Sequence, residues 1–175
     1  MNTRSSRSSD YPKATKSTTK SSSSLASRAE TSAGDENPAY LLRQVAERLG
    51  ISLVEALRPF DQTPSVYRVL IALTRRNPAR MRELIDLTLI ETSVLSRTVA
   101  KMKTQGLVKV TADGHDARAI VIAITATGRK LLGSMIPAVS AQYEWAVHDA
   151  PPEDLEVMRR TLARMLKNLT ISPIK

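Results

Sequence analysis

The sequence predicts a mainly α-helical chain with one small β-hairpin, and three observations lead there. Leucine, isoleucine, valine, alanine and methionine recur at three- and four-residue steps through successive segments between residues 38 and 170. That is the period of helices burying one face. Near residue 110 the period switches to two, in the β-branched runs "LVKVTA" and "AIVIAIT" separated by "DGHDAR". Asp113-Gly114 between them signals a hairpin turn. Apolar residues make up 42% of the 175 but aromatics only 3%, so the core must be aliphatic, which suits packed helices.

Residues 1–37 stand apart. The first 36 hold 11 Ser, 5 Thr, six Lys and Arg against four acids, and almost no large apolar side chain. Such a stretch cannot bury enough surface to offset its ordering entropy, so a disordered tail is expected. From Pro38 the pattern changes. In "AYLLRQVAERLGISLVEALRPF", Leu42, Val45, Leu49, Leu53, Ala56, Leu57 and Phe60 follow helical steps for about five turns. In "TPSVYRVLIALTRR", Thr63 is placed to cap a second helix, with Pro64 at its first position and Val66, Leu70 and Leu73 inward. "NPARMRELIDLTL" restarts after Pro78 as a short third helix with Leu84, Ile85 and Thr88 inward.

After the break "IET", Thr92 or Ser93 can cap a fourth helix that Gly106 is placed to end. The hairpin follows. Beyond Thr125, the residues Leu131, Leu132, Met135, Ile136, Val139, Tyr143 and Val147 line one face of a long helix. The last segment, "PPEDLEVMRRTLARMLKNL", opens with proline and three acids, as the helix dipole favours. Its Leu155, Met158, Leu162, Met165 and Leu169 step 3-4-3-4, the narrow seam of helices that pair lengthwise. This helix either lies on its own domain or pairs with a second copy. Dimerisation is favoured, because the terminal helices offer more apolar stripe than the small central unit can cover.

The central order is helix, short helix, tight turn, polar-faced helix and hairpin. That is the arrangement of a winged helix-turn-helix, whose second helix enters the DNA major groove. In "SVLSRTVAKMKTQGL", Leu95, Val99 and Met102 form an inner stripe, and Ser93, Ser96, Arg97, Ala100, Lys101 and Thr104 an outer one. The outer stripe has no acid to repel phosphates. Thr92, Ser93 and Ser96 can reach phosphate or base edges, Arg97 can read guanine O6 and N7, and Lys101 and Lys103 suit phosphates. A formal net charge of +9 agrees with double-stranded DNA as partner.

The same stretches resemble the multiple-antibiotic-resistance regulator (MarR) family of bacterial transcription factors. "TPSVYRVLIAL" is similar to the family's second helix, with an aromatic residue followed by Arg (Tyr67-Arg68). "TSVLSRTVAKMKTQGLV" resembles its recognition helix and exit. "DARAIVIAITATG" matches the wing signature through Asp116, Arg118, Ile124, Thr125 and Gly128. The resemblance implies a domain over residues 38–172, with the winged helix-turn-helix at 63–126 and dimerisation helices at 38–60 and 127–170. It further implies a homodimer on a near-palindromic operator, with recognition helices about 34 Å apart. Arg118 would enter the minor groove, oriented by Asp116; alternatively the two form a simple ion pair that stabilises the wing. Ala117 stands where the family often has a second arginine, and Leu89 where its turn often has Gly.

Such regulators usually release DNA when a small aromatic acid or phenol binds between the dimer helices and the DNA-binding unit. Tyr67 and Arg68 border that cleft by this reading, unless they are simply structural; Arg43 and Arg58 are weaker candidates. Trp145 and His148 are expected at the dimer junction, and His115 as an exposed turn residue. The absence of cysteine excludes disulfides, thiolate metal sites and thiol-based peroxide sensing. With no phosphate-cradling glycine loop, no nucleophile elbow and no metal-spaced His/Asp/Glu set, neither an enzyme nor a cofactor or metal is expected. No apolar run approaches the roughly 18 residues of a membrane span and no secretory h-region opens the chain, so a cytoplasmic location is expected. The expected function is a ligand-released repressor; the competing expectation is a non-specific architectural DNA binder.

Overall fold

The computed structural model describes residues 37–113 and 120–170. The tail before Asn37 and the wing residues His115, Asp116 and Arg118 lie outside the described residues. In order come α1 (Pro38–Leu57), a 3-10 turn (Arg58–Phe60), α2 (Pro64–Arg75), β1 (Ala79–Arg80), α3 (Met81–Thr88), α4 (Thr92–Thr104), β2 (Val108–Ala112), β3 (Ile120–Ile124), α5 (Ala126–Ala146) and α6 (Pro152–Thr170). The chain divides into two units, up to Val45 and from Ala46 onward. In the first, the Asn37 Oδ1 accepts the Ala39 N–H at 2.9 Å and starts α1. One turn on, the Gln44 amide donates to the Tyr40 hydroxyl at 2.9 Å.

The second unit is built around α2. The Thr63 Oγ1 accepts the Val66 N–H and Pro64 occupies the first turn, as the sequence anticipates. Val66, Val69, Leu70 and Leu73 are buried in one cluster with Leu57, Leu84, Leu95, Met102, Ile122, Leu132 and Met135. That cluster draws on α1, α3, α4, β3 and α5, so a single aliphatic core holds every element that surrounds α4. Each of these fully buried side chains contributes about 1.5–3 kcal/mol relative to exposure.

Two expectations change here. The residues after Pro78 do not enter a helix directly, and the hairpin is not two-stranded. Ala79 and Arg80 form β1, which pairs with β3 (Ala79↔Ile122, Arg80↔Val121) in an antiparallel sheet of order β1-β3-β2. Ala79 is fully buried, and the Asn77 Oδ1 accepts the Ile124 N–H at 3.1 Å, so β3 takes up the polar groups of this stretch before α3 can begin. The β2–β3 ladder runs from Val108↔Ile124 to Ala112↔Ile120.

α4 and α5 meet at a joint made by Thr125. Its hydroxyl donates to the carbonyls of Gly106 (2.7 Å) and Leu107 (3.0 Å) and accepts the Gly128 N–H at 3.0 Å. Along α5, Leu132 and Met135 are buried and Leu131 and Val139 half-buried, but Ile136 and Tyr143 are exposed, and Val147 lies just past the helix end. α6 buries no residue: Leu155 and Leu162 are half-buried, and Met158, Met165 and Leu169 exposed. No helix among the described residues is long and apolar enough to cross a membrane.

Candidate nucleic-acid interface

α4 is held by its inner stripe: Leu95 and Met102 are fully buried and Val99 nearly so. Thr92, Ser93, Ser96, Arg97, Ala100, Lys101 and Lys103 are all exposed. The turn that carries α3 into α4 is closed by Thr88, whose hydroxyl donates to the Leu84 carbonyl at 2.6 Å. Leu89 follows at φ 53°, left-handed, where the resembling family often has glycine. Buried Ile90 then plugs the turn into the core. At the far end Gly106 adopts φ 69° and stops the helix. Lys101 and Lys103 fall in the last turn, where the dipole favours cations.

The cap of α4 is a correction. Neither Thr92 nor Ser93 caps it; Glu91 does. Its carboxylate accepts the Ser93 N–H at 2.9 Å, the Val94 N–H at 3.1 Å and the Ser93 hydroxyl. The hydroxyl, then the two N–H groups, hold the Glu91 carboxyl below the usual carboxylate range, with the charge of Arg97 a smaller contribution. Sequence reasoning passed over Glu91 because threonine and serine rank higher as caps.

At the wing, the sequence marks Asp113 only as a turn residue. Its carboxylate, 8% exposed, takes the Arg80 Nε and Nη2 at 2.6 Å each and ties the start of α3 to the end of β2. Nearby, the Glu83 carboxylate accepts the Arg80 N–H (2.8 Å) and pairs with Arg76 (2.6 Å). The backbone hydrogen bond, with Arg76 and Arg80 charges behind it, holds Glu83 below its usual range. The expected contacts Asp116 and Arg118 lie outside the described residues.

Of the ligand candidates, Tyr67 and Arg68 come together on a cavity of about 130 Å³ that Ile71, Ala72, Arg75, Leu87 and Thr88 complete. Partial burial pushes the Tyr67 phenol up, so it keeps its proton and can donate. Arg75, seven residues after Arg68 and so on the same helical face, could have been found from spacing alone. Arg43 belongs to the unit ending at Val45 and lies over the Tyr40 ring at 5.9 Å. Arg58 pairs with Glu55 at 2.5 Å. Trp145 and His148 stack on each other, centroids 5.0 Å apart and planes 4° from parallel, with Trp145 73% exposed.

Residues 60–119, from the end of the 3-10 turn to just before β3, match the model of the MarR family. Over that stretch the chain is similar to the MarR family. It is 30% identical over 103 residues to the HTH-type transcriptional repressor NicR of Pseudomonas putida, a match over 58% of this chain and 65% of NicR. The chain thus spans just under two thirds of that relative. A crystal structure of a MarR-family regulator from Silicibacter pomeroyi superposes with a TM-score of 0.72 at 23% identity, covering 81% of this chain and 96% of that one. BpsR of Bordetella bronchiseptica, whose DNA binding 6-hydroxynicotinic acid regulates, gives 0.67 at 21% identity, covering 74% and 98%. In this winged helix-turn-helix fold the second helix of the pair is α4, and β2 and β3 are the wing strands.

Proposed function

We propose that the chain is a sequence-specific DNA-binding repressor that acts as a homodimer on a pseudo-palindromic operator and is released by a small aromatic acid or phenol. One observation carries the reading: α4 is anchored by buried Leu95, Val99 and Met102 while an acid-free row of Ser93, Ser96, Arg97, Ala100, Lys101 and Thr104 faces outward. Such a row meets phosphate and guanine edges without repulsion. Thr92 and Lys103 extend it, and Asp116 and Arg118 would serve the minor groove. The exposed seam of Leu155, Met158, Leu162, Met165 and Leu169, with Ile136 and Tyr143 on α5, supports pairing with a second copy. For the effector, a cavity of about 130 Å³ is close to the volume of one aromatic ring. Arg68 and Arg75 would pair its carboxylate and Tyr67 would donate to its oxygen. The likeness to NicR and BpsR agrees with repression and with a single-ring acid.

Footprinting on the DNA flanking the chain's own gene tests this, repeated with benzoic, hydroxybenzoic and nicotinic acids. Two protected grooves about 34 Å apart are expected, with protection lost in at least one acid. Equal protection along random duplexes would refute the reading in favour of an architectural binder.

A further inference from the structure

The Glu91 carboxylate is exposed at the leading end of α4, on the side of the helix-turn-helix turn. It is not a free rotor. Oε2 accepts two donors, the Ser93 hydroxyl and the Val94 N–H, whereas Oε1 accepts only the Ser93 N–H among these contacts. A carboxylate oxygen has room for about two donors, so Oε1 is held in place with one acceptor direction still open. An ordinary carboxylate carried towards a duplex would be repelled by phosphates. Here the Ser93 hydroxyl and the Ser93 and Val94 N–H groups draw on that charge, with Arg97 a smaller contribution. The Ser93 hydroxyl donates to Glu91 in this arrangement.

We propose that Glu91 is a base-selecting residue, accepting through Oε1 the N4 amino group of a cytosine at one position of each half-site. This rests on the DNA-reading role of α4 proposed above. Cytosine is the base whose major-groove edge offers a donor with no acceptor beside it. Thymine presents its O4, guanine its O6 and N7, and adenine sets N7 next to its amino group, so each turns an acceptor towards the carboxylate. The Glu91 position differs from the one read by Arg97. Six residues at 1.5 Å rise separate the two Cα atoms by about 9 Å along the helix, more than two base-pair steps.

The test selects bound sequences from a randomised duplex pool with the full chain, its E91S and E91Q forms, and R97A. Serine keeps a capping oxygen but cannot reach a base; glutamine keeps the reach and adds a donor. Wild type is expected to enrich cytosine at one position per half-site. In E91S that preference falls about 10-fold while other positions hold, and in E91Q it moves towards adenine. R97A erases a different position. If E91S weakens every duplex equally and leaves the position-by-position preference unchanged, Glu91 is a helix cap and the proposal is wrong. If wild type enriches no sequence at all, the DNA-reading role itself fails, and this proposal with it. Melting temperatures of both Glu91 variants verify that they are folded.

Discussion

Gly128 sits where α5 leaves the Thr125 joint, and a methyl group added there has no room. A Cβ would stand 2.2 Å from the Leu107 carbonyl oxygen and 3.0 Å from the Ile124 Cγ1. Both the N–H and the hydroxyl of Thr125 donate to that carbonyl, at 3.1 and 3.0 Å. Relieving the clash requires the carbonyl to retreat by about 1 Å and loosens both bonds, each worth about 1 kcal/mol net. Residual overpacking adds about 2 kcal/mol, and alanine's better helix propensity returns about 1 kcal/mol. G128A is therefore expected to lose about 3 kcal/mol. In urea unfolding followed by circular dichroism the midpoint should fall by about 1–2 M with the slope unchanged. G133A is the control: its Cβ meets nothing within 4 Å, so its midpoint should hold or rise. A G128A midpoint equal to that of wild type would refute the packing argument.

Four further outcomes are expected. R97A should cost about 1–3 kcal/mol on the operator and relax one base position, whereas K101A should weaken all duplexes and lower the salt slope by about one; fluorescence titrations over a salt series separate the two. Leu89 is 83% exposed at φ 53°, so L89G removes about 1–2 kcal/mol of left-handed strain against about 0.5–1 kcal/mol of added chain entropy. Its melting temperature should rise by a degree or two, about what a half-kcal/mol gain gives; a fall would contradict this. The Glu83 carboxyl is held low in the folded chain, so the unfolded chain binds the proton first as pH falls. Stability present at neutral pH is lost on acidification through the folded value, and the melting curve of E83Q should be flatter in acid than that of wild type; parallel curves would sink the assignment. L169D changes a side chain 71% exposed on the single chain, so it should leave a monomer intact but halve the scattering mass of a seam-paired dimer.

Periodicity made most of this molecule legible. Leu95, Val99 and Met102 recur at helical steps because one face of α4 is buried, and the opposite face could be read by subtraction. The cap of α2 followed from Thr63-Pro64 for an equally local reason. What escaped was non-local or too short. β1 has two residues, below any detectable period, and owes its existence to β3, more than forty residues on. Arg80 and Asp113 are 33 residues apart, and neither belongs to a pattern. Glu91 lost to Thr92 on propensity, although the left-handed turn at Leu89 starts the helix one residue earlier. Ile136 and Tyr143 read correctly as part of an apolar face, but an apolar stripe does not say whether its own chain covers it.

The Arg80–Asp113 pair has a geometric consequence for how such a molecule would grip a duplex. α3 leads into α4, the proposed major-groove reader, and Asp113 directly follows wing strand β2. Strapping one to the other fixes the phase between two probes that would otherwise sample neighbouring grooves independently. On the proposed reading, a modest tilt of α3 would carry both off register together, so one hinge could detach the whole hand.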